Sequence, residues 1–339
     1  VITTLLDKFT RAFGHGSSNH SYPVLQQSIG VGSVFEGWSP HTGGAFYQVL
    51  VPLSAPAGHA FHLEPDTGAK MPGRNFRVRV DLECTCVREQ LGDNSTLCFL
   101  HHCKEELSRK QEPSLLDTLC TGPYLDVEKT ACWLYRLVRA EWLLLPQSSH
   151  RLNLMFLPSS RSCKMQLSNG EGSLVVEVQF GVRQGNSDIY VSSQPPEVHF
   201  MPSTTWRETY AVAEANFFRL VARRAPQDSW HCKCLQFLAL IAMDTGFPTY
   251  ALKTVVMHLL NTRPLSQWSR RDFLKRSVDI VDYLRCSLAK KRLDHFVIGN
   301  QRLPGEITLP PHLQGVEPPN LFQRLVCDPD ACRELVQKY

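Results

Sequence analysis

No stretch of this 339-residue sequence approaches the roughly 18 consecutive apolar residues needed to span a membrane. The longest apolar run, within Leu235–Met243, is about the length of one core helix. The sequence does not begin with Met and shows no signal-peptide layout, so it is expected to be part of a longer chain, with any anchor upstream. It has no Gly-x-Ser-x-Gly elbow and no Gly-rich loop followed by Lys-Ser or Lys-Thr, which sets aside hydrolase and P-loop readings. There is no internal repeat and no low-complexity tract. Neither sign of charge dominates, with 36 Lys and Arg against 32 Asp and Glu. A net charge of +4 is too mild to mark a nucleic-acid binder by itself.

What is present is ordinary for a soluble globular protein: 43% apolar and 20% charged residues. The length suits one bilobal unit or two domains. Cysteine is more abundant than usual, with twelve, but they are spread over a chain large enough to build a core without disulfides. Buried free thiols in a reducing, cytosolic setting are the expectation, against which the sequons at Asn19 and Asn94 argue weakly.

Hydrophobic periodicity predicts an amphipathic helix over 1–13 and strands over 46–53 and 76–86. It then predicts a helix over 115–145 and strands over 174–182 and 189–191. Helical patterns dominate from Trp206 onward, with breaks near Pro226, Gly246-Phe-Pro248 and Pro264. The change of character near residue 200 divides the chain into an α+β region, 1–200, and a helical region, 201–339.

Several clusters carry possible chemistry. Cys84-Thr-Cys86, Cys98 and His101-His-Cys103 supply enough ligands for tetrahedral zinc, but their spacing fits no standard finger, so thiols without a metal are expected. The same holds for Cys232 and Cys234 after His231. His258 and His295 lie among apolar residues and read as hydrogen-bonded core histidines. Asp81 and Glu83 fall on one face of a strand, as two-metal chemistry requires, but share it with Arg77 and Arg79 and read as a solvated face. The basic pairs Arg223-Arg224, Arg270-Arg271 and Lys275-Arg276, and the run Lys290-Lys-Arg292, are interleaved with acids and also read as solvated helix faces rather than a nucleic-acid groove.

Three words in the helical half are more specific: Phe247-Pro-Thr-Tyr-Ala-Leu-Lys-Thr-Val-Val-Met-His-Leu-Leu260, Gln267-Trp-Ser-Arg-Arg-Asp-Phe-Leu274 and Lys291-Arg-Leu-Asp-His-Phe-Val-Ile-Gly-Asn300. In that order they resemble the Mab-21 family, which includes the cyclic GMP–AMP synthase. Phe35-Glu-Gly-Trp38, Gly58-His-Ala-Phe-His-Leu-Glu64, Leu82-Glu-Cys-Thr-Cys86 and Tyr124-Leu-Asp-Val-Glu-Lys-Thr130 narrow the resemblance to the inositol 1,4,5-trisphosphate receptor-interacting protein group.

The resemblance implies a nucleotidyltransferase-type lobe, a twisted mixed sheet with helices, packed on a helical lobe. Active relatives cradle a triphosphate at a Gly-Ser turn and bind two metal ions through three carboxylates. Carried over by position, the turn falls on Gly32-Ser33 and the first two carboxylates on Ala45 and Tyr47, neither of which is an acid. The third falls on Glu177, a phosphate-contacting lysine on Ala239, and a retained hydroxyl on Thr249. The zinc ribbon of the DNA-sensing relative has no counterpart.

The resemblance therefore implies a catalytically inactive module without cofactors, in a protein held at a membrane through a segment outside this chain. Its implied partner is a protein, such as the inositol 1,4,5-trisphosphate receptor or another membrane receptor, in calcium signalling. The alternative is a metal-independent nucleotide or inositol-phosphate sensor using Ser33, Thr249 and Lys253, although Lys253 reads more readily as a solvated helix residue. A surviving enzyme would have to combine Glu177 with Asp81, Glu83 or Glu36.

Overall fold

The computed structural model describes residues 21–40, 45–66, 74–86, 97–111, 113–142, 152–170, 172–194, 201–245 and 247–323. The helix expected over 1–13 and both sequons lie outside these residues.

The described chain begins with β1 (Val24–Leu25), β2 (Ile29–Val31), α1 (Gly32–Phe35), β3 (Phe46–Ser54), β4 (His59–Pro65) and β5 (Asn75–Leu82). Next come α2 (Lys104–Lys110), α3 (Leu115–Thr118), β6 (Cys120–Thr121), β7 (Tyr124–Leu125) and α4 (Val127–Trp142). Strands β8 (Asn153–Leu157), β9 (Cys163–Asn169), β10 (Gly172–Arg183), β11 (Tyr190–Ser192) and β12 (Thr205–Thr209) follow. The rest is helical: α5 (Ala211–Arg224), α6 (His231–Thr245), α7 (Thr249–Thr262) and α8 (Phe273–Ala289). The chain is thus α+β, with a large mixed sheet.

Contacts divide it into two compact units. Of the described residues, the first holds those within 21–30, 46–185 and 189–209, and the second holds those within 31–45, 186–188 and 210–323. A division at residue 200 leaves those two short insertions with the first region. Local bonds explain why they belong to the second. Gln236 donates to the Ser39 carbonyl at 2.7 Å, and Asp188 and Thr308 exchange bonds through the Asp188 N–H and carboxylate.

In the first unit the sheet runs β1-β3-β10-β11-β12-β5-β7-β6. The β3–β10 pair is parallel, and β10 is also flanked by antiparallel β9. This central position explains the near-continuous apolar run of β10, where Val176, Val178, Phe180 and Val182 are buried. Strand β5 keeps the alternation read from sequence, with Val78 and Val80 inside and Arg79 out. It ends at Leu82, so Cys84 and Cys86 lie beyond the strand.

The single helix expected over 115–145 is a helix, a small hairpin and a second helix. Gly122 takes φ +60° and Pro123 has no N–H to donate, which forces the β6–β7 turn. The Asp126 carboxylate then accepts from the N–H groups of Glu128 (2.9 Å) and Lys129 (3.1 Å), capping α4. Trp206, expected to open the helical region, instead pairs with Phe76 in β12 and is fully buried. The helices of the second unit break where the sequence places Pro226, Pro248 and Pro264. Among the described residues no helix is long and apolar enough to cross a membrane.

Candidate functional site

The strand register decides what Tyr47 and Glu177 can do together. In the parallel β3–β10 pair, Gln48 lies beside Glu177 and Tyr47 beside Val176. Side chains of paired residues point the same way and alternate along the strand. Glu177 therefore shares its face with Gln48, whereas Tyr47 points to the opposite face, toward the apolar side of the sheet. The structure does not bring Tyr47 and Glu177 together.

Glu177 is also occupied. Its Oε1 accepts from the Ser162 hydroxyl at 2.9 Å, and its Oε2 lies 3.4 Å from the Gln48 amide and 3.5 Å from that of Gln179. Glu177 is buried, and both of its oxygens accept from neutral donors within the β3–β10 core.

In the second unit Gly32 takes φ +78° and Ser33 lies in the single turn of α1, whose carbonyl accepts from the Trp38 N–H at 2.9 Å. The chain then presents Glu36 inward. Its Oε2 accepts from the Trp38 indole at 2.6 Å and its Oε1 from the Lys253 ammonium at 2.7 Å. Lys253 makes a second bond, also 2.7 Å, to Glu214 Oε2. Glu214 Oε1 accepts from the Tyr250 hydroxyl at 2.7 Å, which in turn lies 3.2 Å from His295 Nε2. His295 Nδ1 accepts from the N–H groups of Val297 and Ile298, so the ring proton is on Nε2 and donates to Tyr250.

This chain of bonds corrects two expectations. Lys253 is not a solvated residue, nor a cation free to meet a phosphate: its side chain is buried against two carboxylates. Burial alone would lower its pKa, but Glu214 and Glu36 outweigh that and raise it. Glu36 is unavailable as a metal ligand for the same reason. Thr249 opens α7, and Ala239 is fully buried inside α6. The signal for the network was present in the sequence. Glu214 in Val-Ala-Glu-Ala and Lys253 in Ala-Leu-Lys-Thr-Val-Val are lone charges in apolar helical runs, and lone charges of opposite sign inside a core pair with each other.

The remaining sequence candidates divide clearly. Asp81 meets Arg79 at 2.9 Å, and Arg79 also reaches Glu64, on a solvent-facing side of the sheet as expected. His258 donates to the Asp294 carbonyl at 3.0 Å, a core role like that of His295. Arg224 pairs with Glu306 at the surface, but Arg276 is fully buried beside Asp279 at 2.9 Å, so its helix face is not solvated there. Cys232 and Cys234 are thiols of α6, both pushed up to about 11 by burial. Cys84, Cys86, Cys98 and His101, in contrast, converge on one point.

One surface of the second unit stands out. Helix α6 exposes Phe237, Leu240 and Met243, and α8 exposes Leu274 (75%) and Val278 (57%). The two helices adjoin there, with the rings of Phe237 and Phe273 5.5 Å apart. Exposed Lys233, Arg270, Arg271 and Lys275 border the apolar side chains in sequence.

No family model matches the chain. Across its full length it is 34% identical to the inositol 1,4,5-trisphosphate receptor-interacting protein-like 1 of Rattus norvegicus and to that of Mus musculus, covering 63% of each. It is 27% identical, over 93% of its length, to the inositol 1,4,5-trisphosphate receptor-interacting protein of Homo sapiens, of which it covers 61%. The chain thus spans a little over three fifths of the curated relatives it matches.

Proposed function

We propose that this chain, which belongs to the inositol 1,4,5-trisphosphate receptor-interacting protein family, is a non-catalytic binding module with a nucleotidyltransferase-like ancestry. It acts by docking on a protein, with the cytosolic portion of the inositol 1,4,5-trisphosphate receptor the first candidate. The full protein is membrane-associated through a segment outside this chain, and the module lies on the cytosolic side.

The observation that carries this reading is the apolar face of α6 and α8. Phe237, Leu240, Ile241 and Met243 on α6 and Leu274 and Val278 on α8 are exposed on two helices that meet at Phe237 and Phe273, and exposed apolar side chains gathered in this way mark interaction sites. Exposed Lys233, Arg270, Arg271 and Lys275 lie close by in sequence and outnumber exposed Asp244, which favours a segment carrying both apolar and acidic side chains. The relatives' names supply the partner class. The lack of catalysis is supported by the residue types at 45 and 47, by the opposite facing of Tyr47 and Glu177, and by the hydrogen bonds already made to Glu177. Two-metal transfer needs carboxylates converging on one pair of ions. The sensor reading loses its cation to the Lys253 network.

The test is co-purification of the chain with the receptor's cytosolic portion. Capture at micromolar concentration that Leu274→Asp weakens supports the proposal. A clean failure of the unmodified chain at that concentration removes this partner.

A further inference from the structure

Strand β5 ends at Leu82, and the Glu83 N–H donates to the Gly58 carbonyl at 2.8 Å, so the chain leaves the sheet edge as Cys84-Thr-Cys86. The chain returns at 97–103. Gln111 holds Leu97 by bonds to both its N–H (2.7 Å) and its carbonyl (3.3 Å). Cys98 opens a tight turn in which its carbonyl accepts from the N–H groups of His101 and His102, both at 3.2 Å. Phe99 packs on the flank, its ring 5.2 Å from that of His59 and its edge against Gly58.

The turn aims His101 at three sulfurs. Its Nδ1 lies 3.0 Å from Cys86 Sγ, 3.4 Å from Cys98 Sγ and 3.6 Å from Cys84 Sγ. All four ligand atoms lie within 4.8 Å of one another. A tetrahedral zinc ion with Zn–S of about 2.3 Å and Zn–N of about 2.0 Å sets S···N near ~3.6 Å and S···S near ~3.8 Å. The three S···N distances, 3.0, 3.4 and 3.6 Å, lie at or below this value, and no two ligand atoms are more than 4.8 Å apart, so small rotations of the side chains would complete the tetrahedron. Thr85 donates its N–H to Cys98 Sγ at 3.5 Å, a bond that favours the thiolate form a metal requires.

We propose that Cys84, Cys86, Cys98 and His101 bind a structural zinc ion that fastens the 97–103 turn to the end of β5. Three thiolates and one imidazole form a closed tetrahedral set, with no protein ligand missing and no position left for a reacting water. The donors select zinc over the hard cations, which prefer oxygen ligands. Zinc fingers join their ligand pairs by short loops of regular spacing, which this sequence lacks. Here the pairs sit on two segments that meet only in the fold. Cys103 lies on the same turn but outside the cluster, at the start of α2.

The site is tested by expressing the whole chain in zinc-supplemented medium, desalting it and measuring metal by inductively coupled plasma mass spectrometry. Zinc equimolar with protein is expected. Cys98→Ser and His101→Ala should lose it, whereas Cys103→Ser should keep it. His101→Cys should also keep it, since four thiolates bind zinc equally well; this variant separates loss of a ligand from loss of the fold. Replacing zinc by cobalt should give thiolate-to-metal charge-transfer absorption that Cys98→Ser abolishes. Protein free of metal, zinc content unchanged by Cys98→Ser and His101→Ala, or recovery of these cysteines as a disulfide in non-reducing peptide maps would each overturn the assignment.

Discussion

The Lys253 ammonium stands 2.7 Å from a carboxylate oxygen of Glu214, with both side chains almost wholly buried. A second carboxylate, Glu36, is equally close. The Trp38 indole and the Tyr250 hydroxyl donate to the outer oxygens of the two acids, and the Arg219 guanidinium lies near enough to Glu36 to feel its charge. Removing the cation leaves two buried carboxylates facing each other.

Lys253→Met should therefore cost about 3–5 kcal/mol at neutral pH, measured by urea denaturation. Adding Glu36→Gln and Glu214→Gln to that variant should recover part of the loss. The pH dependence has a definite sign. Burial lowers the Lys253 pKa, but the two carboxylates raise it above its ordinary 10.5. Its contribution is present in full below the unfolded value and is lost as pH rises through the folded one. The gap between wild type and Lys253→Met should narrow as pH rises through the folded Lys253 value.

Asp126 shows the opposite sign. Burial pushes its carboxyl up, but the hydroxyls of Ser203 and Thr121 and the N–H groups of Lys129 and Glu128 hold it below the usual 3.8. The stability it supplies is present above the unfolded value and is lost as pH falls through the folded one. Asp126→Ala should cost about 2–3 kcal/mol at pH 7, because a helix cap and two hydroxyl partners are lost together. Denaturation curves below pH 4 should show the mutant and wild type converging.

Much of the fold was legible because burial leaves a period in the sequence. The alternation of β5 and the unbroken apolar run of β10 each follow from the faces those strands bury. The hairpin inside the 115–145 region was not. Leu115, Leu119 and Leu125 keep an apolar rhythm across it, and only Gly122-Pro123 marks the break. Single buried charges such as Lys253 and Arg276 leave no period at all, so an exposed helix face was the natural reading. The orientation of Tyr47 against Glu177 depends on strand register, which no single strand encodes. Ligands on separate segments, as at Cys86 and Cys98, are joined only by tertiary contact.

Gly299 offers a sharper backbone test. It takes φ +71°, and a Cβ there would stand 2.3 Å from the Val316 carbonyl oxygen and 2.8 Å from Pro318. Neither neighbour is the end of a flexible side chain. Gly299→Ala should destabilise the chain by more than about 2 kcal/mol, seen as a lower midpoint in urea. A neutral result would mean that the Val316–Pro318 segment yields freely.

The apolar face makes a prediction separable from stability. Leu274 is 75% exposed, so Leu274→Asp should leave the melting temperature nearly unchanged. It should weaken partner capture by about 10-fold or more if the residue sits near the centre of the contact. Lys275→Glu should act mainly through association rate and salt dependence.

The central claim, binding without catalysis, is tested most directly by calorimetric titration of the chain with ATP and GTP, with and without manganese, followed by chromatography of the same samples for product. No heat of binding and no product are predicted, because Ala45 and Tyr47 offer no carboxylate and Glu177 faces away from Tyr47 with its oxygens already bonded. Manganese-dependent binding with turnover would contradict the account and make the chain an enzyme.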